Sequence, residues 1–194
     1  MKDRTAKIHR QTKEADVSLE LNLDGLGRYE IDSGIGFLDH MLTQLSKHGK
    51  MDIVVKAKGD LNVDAHHTVE DIAICLGQCL TKALGDKKGI ARYGHSSVPM
   101  EEAMANISVD LSGRGSCVYN VSYRTDKIGD FDVECIEQML VSLANEGKFN
   151  LHINVPYGTN SHHIAEAIFK GLGQALAKAV RIVGTDIPST KGTL

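Results

Sequence analysis

The chain has 194 residues, 42% of them hydrophobic and 24% charged, with a net charge of −3. That size suits one compact domain or two small halves sharing a core, and the charge gives no basic footprint for nucleic acid. No apolar run reaches the roughly 20 residues that cross a bilayer, and the opening MKDRTAKIHRQTKEAD lacks a signal-peptide apolar stretch, so a cytoplasmic protein with neither nucleic-acid nor membrane partners is expected.

In chain order, AKIHRQ, DVSLELNL and RYEID alternate with the period of two that marks strands. A helix is expected from Gly36 to Lys47, with Gly49 as its C-terminal cap. MDIVVKAKG reads as a fourth strand, and an amphipathic helix follows from Ala65 to Leu84. The second half opens with strands in ARYGHSSVP, ANISVDLS and CVYNVSYR. A helix from Asp132 to Asn145, the strand FNLHINVP and a helix from Ser161 to Val183 complete it. Three strands, helix, strand, helix, made twice, is an α+β pattern in which each four-stranded sheet buries one face under two helices.

The two halves also repeat in sequence. FLDHMLTQLSKHGKMDIVVKA aligns with CIEQMLVSLANEGKFNLHINV at an offset of 98, matching Met41 with Met139 and Gly49 with Gly147. HHTVEDIAICLGQCLTKAL aligns with HHIAEAIFKGLGQALAKAV at an offset of 96. The chain therefore reads as a duplication, with repeats over residues 1–90 and 91–194 forming one compact unit.

The duplication carries chemistry. His66, His67 and Glu70 match His162, His163 and Glu166. Residues four apart on a helix share a face, whereas adjacent residues diverge by about 100°. So His66 with Glu70, and His162 with Glu166, suit one ion each, while His67 and His163 point elsewhere, to a second metal or to a substrate. A lone histidine from each half would complete the other half's site, giving a pseudo-symmetric dinuclear centre. His40 stands on the preceding helix and His48 near that helix's end, but His40's counterpart is Gln138, a weaker neutral donor. Glu70 and Glu166 are ligands in this reading rather than bases. Imidazole and carboxylate donors without thiolate admit manganese, iron or zinc, and six-coordination with open positions favours manganese. Cys75, Cys79, Cys117 and Cys135 form no Cys-x-x-Cys pair and are expected to be buried reduced thiols.

Several cations suit an anionic substrate: Arg92, the glycine-flanked Arg114 in SGRGS, Lys170 one turn past Glu166, and the tail residues Ser189, Thr190 and Lys191 in PSTKG. Arginine, lysine and hydroxyl donors together match phosphate. No GxxxxGK[ST] loop points to nucleotide hydrolysis.

GIGFLDHML, DAHHTVEDIAI, PMEEA, DLSGRG, SHHIAEAIFK and IPSTKG together resemble the imidazoleglycerol-phosphate dehydratase family across nearly the whole chain. The resemblance implies two similar α+β halves like the second domain of a small-subunit ribosomal protein, and a 24-subunit shell with active sites between subunits. It implies two manganese ions per site, held by His40, His66, His67, Glu70, His162, His163 and Glu166. A further ligand position falls on Gln138, where the family carries His or Glu. It places substrate contacts on Arg92, Arg114, Lys170, Ser189, Thr190 and Lys191, and an acid/base position on Glu14. Ala15 stands where the family has Thr. The implied reaction removes water from D-erythro-imidazole-glycerol phosphate to give imidazole-acetol phosphate, with Glu14 and then His48 as proton-transfer candidates. Two other classes fit parts of the pattern. A binuclear phosphate-ester hydrolase would use the same ligands to activate water. A binding module would need a basic aromatic surface that the composition does not supply.

Overall fold

The computed structural model describes residues 4–194. The first half runs β1 (Thr5–Gln11), β2 (Ala15–Asn22), β3 (Tyr29–Asp32), α1 (Gly36–Gly49), β4 (Asp52–Gly59) and α2 (His66–Leu84). The second runs β5 (Tyr93–Met100), β6 (Ala103–Asp110) and β7 (Ser116–Asn120), then a short hairpin of β8 (Lys127–Ile128) and β9 (Phe131–Asp132). It ends with α3 (Glu134–Glu146), β10 (Asn150–Tyr157) and α4 (Ser161–Ala179). The α+β duplication expected from the repeat is present.

The sheets have equivalent orders, β1-β2-β4-β3 and β5-β6-β10-β7. In each, the outer strand β3 or β7 pairs parallel to its neighbour while the other pairings are antiparallel. Alternation decides which face is buried. Val17, Leu19 and Leu21 of β2, and Ala103, Ala105, Ile107 and Val109 of β6, all point into the core. Helix α2 covers β1 and β2, and α4 covers β5 and β6. Across the middle, α1 packs on α4 and α2 packs on α3, so each helix pair joins opposite halves.

Glycines permit those crossings. A Cβ on Gly173 would stand 2.7 Å from the Leu45 carbonyl oxygen and 2.8 Å from the Gly49 nitrogen. A Cβ on Gly77 would stand 2.7 Å from the Gly147 nitrogen. The matched glycines of the repeat therefore let two helix backbones touch. This corrects one expectation. Gly49 belongs to α1 and its crossing, while Lys50 takes the left-handed cap at φ 53°; after α3 the cap is Gly147 and the left-handed residue is the next one, Lys148, at φ 52°.

Several boundaries also differ from the sequence reading, α3 running Glu134–Glu146 rather than Asp132–Asn145, and one hairpin is added. Helix α4 stops at Ala179 rather than Val183, because Arg181 and Val183 leave the helix to hydrogen-bond with Ala91 and Gly89. Strand β7 ends at Asn120, where its pairing with β10 ends. The β8–β9 hairpin has no counterpart in the first half, and strands of two residues carry no readable period.

Candidate metal centre

Helices α1 and α4 lie parallel, with their N-terminal ends together. Asn160 starts α4 by accepting from the His162 N–H at 2.9 Å and the His163 N–H at 3.4 Å. The first turns then bring His162 and Glu166 onto the face met by His40. His40 Nε2 lies 2.8 Å and His162 Nε2 3.1 Å from the same oxygen, Glu166 Oε1. The edge of His162 meets Phe37, and Phe37 packs on Phe131 of the hairpin. A cleft of about 790 Å³ opens beside them, between Gly34–Phe37, Leu61–Ala65 and the β8–β9 hairpin.

Glu166 is 7% exposed. Burial alone would raise its pKa, but hydrogen bonds from Lys170, His40 and His162 outweigh burial and hold it at about 2. Lys170 Nζ lies 2.5 Å from Glu166 Oε2, leaving Oε1 to the two imidazoles. Burial and the charge of Lys170 push the His48 pKa down. Both effects favour the neutral imidazole at His48.

The matching place in the other helix pair is different. Glu70 Oε1 accepts from Gln138 Nε2 at 2.7 Å and from Ser142 Oγ at 3.4 Å. His66 does not join them. Among the described residues, His40, His162 and Glu166 form the one group of three such donors, all within 4.8 Å of one another. The structure thus brings together three of the expected ligands, sets Gln138 on Glu70, and leaves His66, His67 and His163 outside both groups.

His67 and His163 are instead held by carboxylates at Nδ1. Asp60 lies 3.1 and 3.3 Å from His67 Nδ1 and raises its pKa. Glu14 Oε1 stands 3.8 Å from the opposite nitrogen, His67 Nε2. Glu102 Oε2 lies 2.7 Å from His163 Nδ1, and its other oxygen accepts from the Thr159 and Asn160 N–H groups. Those bonds, His163 first, hold the Glu102 carboxyl far below the usual range. Sequence reasoning gave Asp60, Glu102 and Ser142 no role. For Glu102 a signal existed, since it precedes β6 as Glu14 precedes β2.

Most of the phosphate candidates gather elsewhere. Arg92 spends Nε and Nη2 on Asp110, at 2.7 and 3.1 Å, and Nη1 on the Pro188 carbonyl at 2.9 Å. The tail turns tightly there, with the Lys191 N–H on Ser189 Oγ at 3.2 Å and Thr190 exposed. Its end meets Gly113, next to the exposed Arg114. The Arg92 N–H also donates to the Ala179 carbonyl at the last residue of α4. At about 1.5 Å per residue, His162 and Ala179 stand roughly 26 Å apart along that helix. One chain therefore separates Arg92, Arg114 and the tail from its histidine cluster. Lys170 stays with the cluster.

The donors around Glu166 suit a divalent cation. Neighbouring ligands of an octahedral ion, with bonds of about 2.1 Å, stand roughly 3 Å apart, matching the 2.8 and 3.1 Å separations. The cysteines are not competitors. All four are free, and burial pushes Cys75 to about 11 and Cys79 to about 12. Among the described residues no helix is long and apolar enough to cross a membrane.

Comparison with known proteins points to one family. Residues 33–176 match the family model for imidazoleglycerol-phosphate dehydratase. The chain is 50% identical over 192 residues to the imidazoleglycerol-phosphate dehydratase of Desulforudis audaxviator, covering 98% of both chains. It is 52% identical over 198 residues to that of Clostridium botulinum strain Langeland, covering all of both. The crystal structure of the Staphylococcus aureus enzyme superimposes with a TM-score of 0.84 at 34% identity, over 92% of this chain and 99% of the other. The Pyrococcus furiosus enzyme, solved in complex with (S)-C348, gives 0.85 at 35% identity, over 96% and 100%.

Proposed function

This chain belongs to the imidazoleglycerol-phosphate dehydratase family, and from that premise we propose that it dehydrates D-erythro-imidazole-glycerol phosphate, using two manganese ions per site, in histidine biosynthesis. Membership chooses dehydration over phosphate-ester hydrolysis, which the donor set alone left open.

One ion would sit on His40, His162 and Glu166, with His67 lent by a neighbouring copy. The other would sit on His66, Glu70 and Gln138, with His163 lent. Manganese bound there would supply Lewis acidity toward the substrate's ring and hydroxyl. The chain's own groups do the rest. Arg92, Arg114, Ser189, Thr190 and Lys191 would hold the phosphate, with Lys170 placed to meet substrate beside the first ion. Fixing both ends sets the reacting carbons against their proton-transfer groups. Glu14, exposed and with no hydrogen bond to its carboxylate among the described residues, would take or return a proton. His48, held neutral, is the second candidate.

The observation that carries this reading is the separation along α4. No small phosphate ester reaches from His162 to Arg92 within one chain, so a working site needs ends from different copies. That favours a closed assembly, and a 24-subunit cytoplasmic shell is our reading of it. The test mixes two inactive variants, H162A and R114A, after dissociation by chelation, and reassembles them with Mn2+. Sites drawing their two ends from different chains recover about one functional site in four on random mixing. Failure of reassembled hybrids to regain turnover would reject a shared site.

A further inference from the structure

We propose that Asp60 and Glu102 are positioning residues that fix the tautomer of the two lent histidines, and that this duty has separated the roles of the paired glutamates Glu14 and Glu102. The inference rests on the reading of His67 and His163 as lent ligands.

The two histidines are repeat counterparts, each the second member of its His-His pair. Each meets a carboxylate at Nδ1, Asp60 at 3.1 Å and Glu102 at 2.7 Å. The carboxylates are not counterparts. Asp60 follows β4, and the residue that follows β10 is Gly158. Glu102 precedes β6, and the residue that precedes β2 is Glu14. The same contact is thus built from two different loops, which copying one half into the other does not produce. A shared chemical need does. An Nδ1–H donated to a carboxylate leaves the lone pair on Nε2, the form a metal requires, and fixes the ring's direction.

The substitution of one anchor for another has a consequence for Glu14. In the second half, Glu102 spends one oxygen on His163 and the other on the Thr159 and Asn160 N–H groups. It has no oxygen free for proton transfer. In the first half Asp60 takes over the anchoring, and Glu14 stands 3.8 Å from the other edge of the His67 ring. The duplication supplied two equivalent glutamates; Asp60 released one of them, so each site has one such acid/base group rather than two.

The experiment measures Mn2+ binding by equilibrium dialysis on the assembled protein, with E102Q, E102D, D60N and H163A. Histidine tautomers are read in metal-free protein by 15N NMR. E102Q is expected to weaken one class of Mn2+ site by about 10–100-fold and spare the other. D60N is expected to weaken the other class instead, and E102D to restore most of the loss. Both substitutions should abolish the single Nδ1–H tautomer of the affected ring. D60N leaves the backbone bonds of its loop intact, so it stays informative if E102Q loosens the start of α4. Unchanged binding and tautomer in both E102Q and D60N overturn the proposal. If H163A binds Mn2+ as the wild type does, the lent-ligand reading falls and this inference with it. If H163A loses binding while E102Q and D60N do not, the anchoring inference alone falls.

Discussion

Gln138 donates from Nε2 to Glu70 Oε1 over 2.7 Å, at the place where its repeat counterpart His40 meets Glu166. The two centres of the duplication are therefore chemically unequal. An amide must turn its oxygen toward a cation, give up its bond to Glu70, and then offers a weaker donor than imidazole. Wild-type protein is expected to bind Mn2+ in two unequal classes. Q138H should tighten the weaker class by about tenfold or more and make the two classes converge. Dialysis isotherms that are identical for both proteins would reject this.

At the stronger centre, H40A and H162A should each lower the Mn2+ content of purified protein by one equivalent per chain. Elemental analysis after dialysis against trace Mn2+ checks it. Full metal content in both variants would show that these imidazoles are not ligands.

Glu14→Gln should reduce turnover by about 10²–10⁴-fold, the usual worth of a general acid or base. The Mn2+ content should not change, because Glu14 lies outside both donor groups. Near-normal turnover would remove Glu14 from the chemistry.

Glu166 gives a pH dependence with a definite sign. Its folded pKa is held at about 2, below its ordinary value of 4.5. The metal-free protein binds that proton more weakly folded than unfolded. The resulting stability is present above about pH 4.5 and is lost as pH falls toward about 2, amounting to at most roughly 3 kcal/mol. Urea melts of the chelated protein across that range should show the decline. The slope should flatten in E166Q, whose amide does not titrate.

Gly173→Ala tests the helix crossing. The added methyl would meet backbone atoms of Leu45 and Gly49 at 2.7 and 2.8 Å. Backbone cannot swing aside as a side chain can. A loss of about 1–3 kcal/mol follows, visible as a lowered unfolding midpoint. Gly184→Ala, with open space around its Cβ, should leave the midpoint nearly unchanged.

The sequence by itself determined the duplication, the order of elements and the identity of the donors. Periodicity is local, and a repeat of forty-odd residues survives in the letters. It also showed that Gln138 breaks the symmetry. What it did not hold is which helices pair. His40 joins Glu166 across 126 positions because α1 packs on α4, and Gln138 joins Glu70 because α2 packs on α3. Asp60 and Glu102 likewise acquire a role only when loops distant in sequence close on His67 and His163. The separation of Arg92 from His162 along α4 was hidden for the same reason. Burying the apolar faces of two sheets and four helices together fixes these distances, and no local pattern of residues records them.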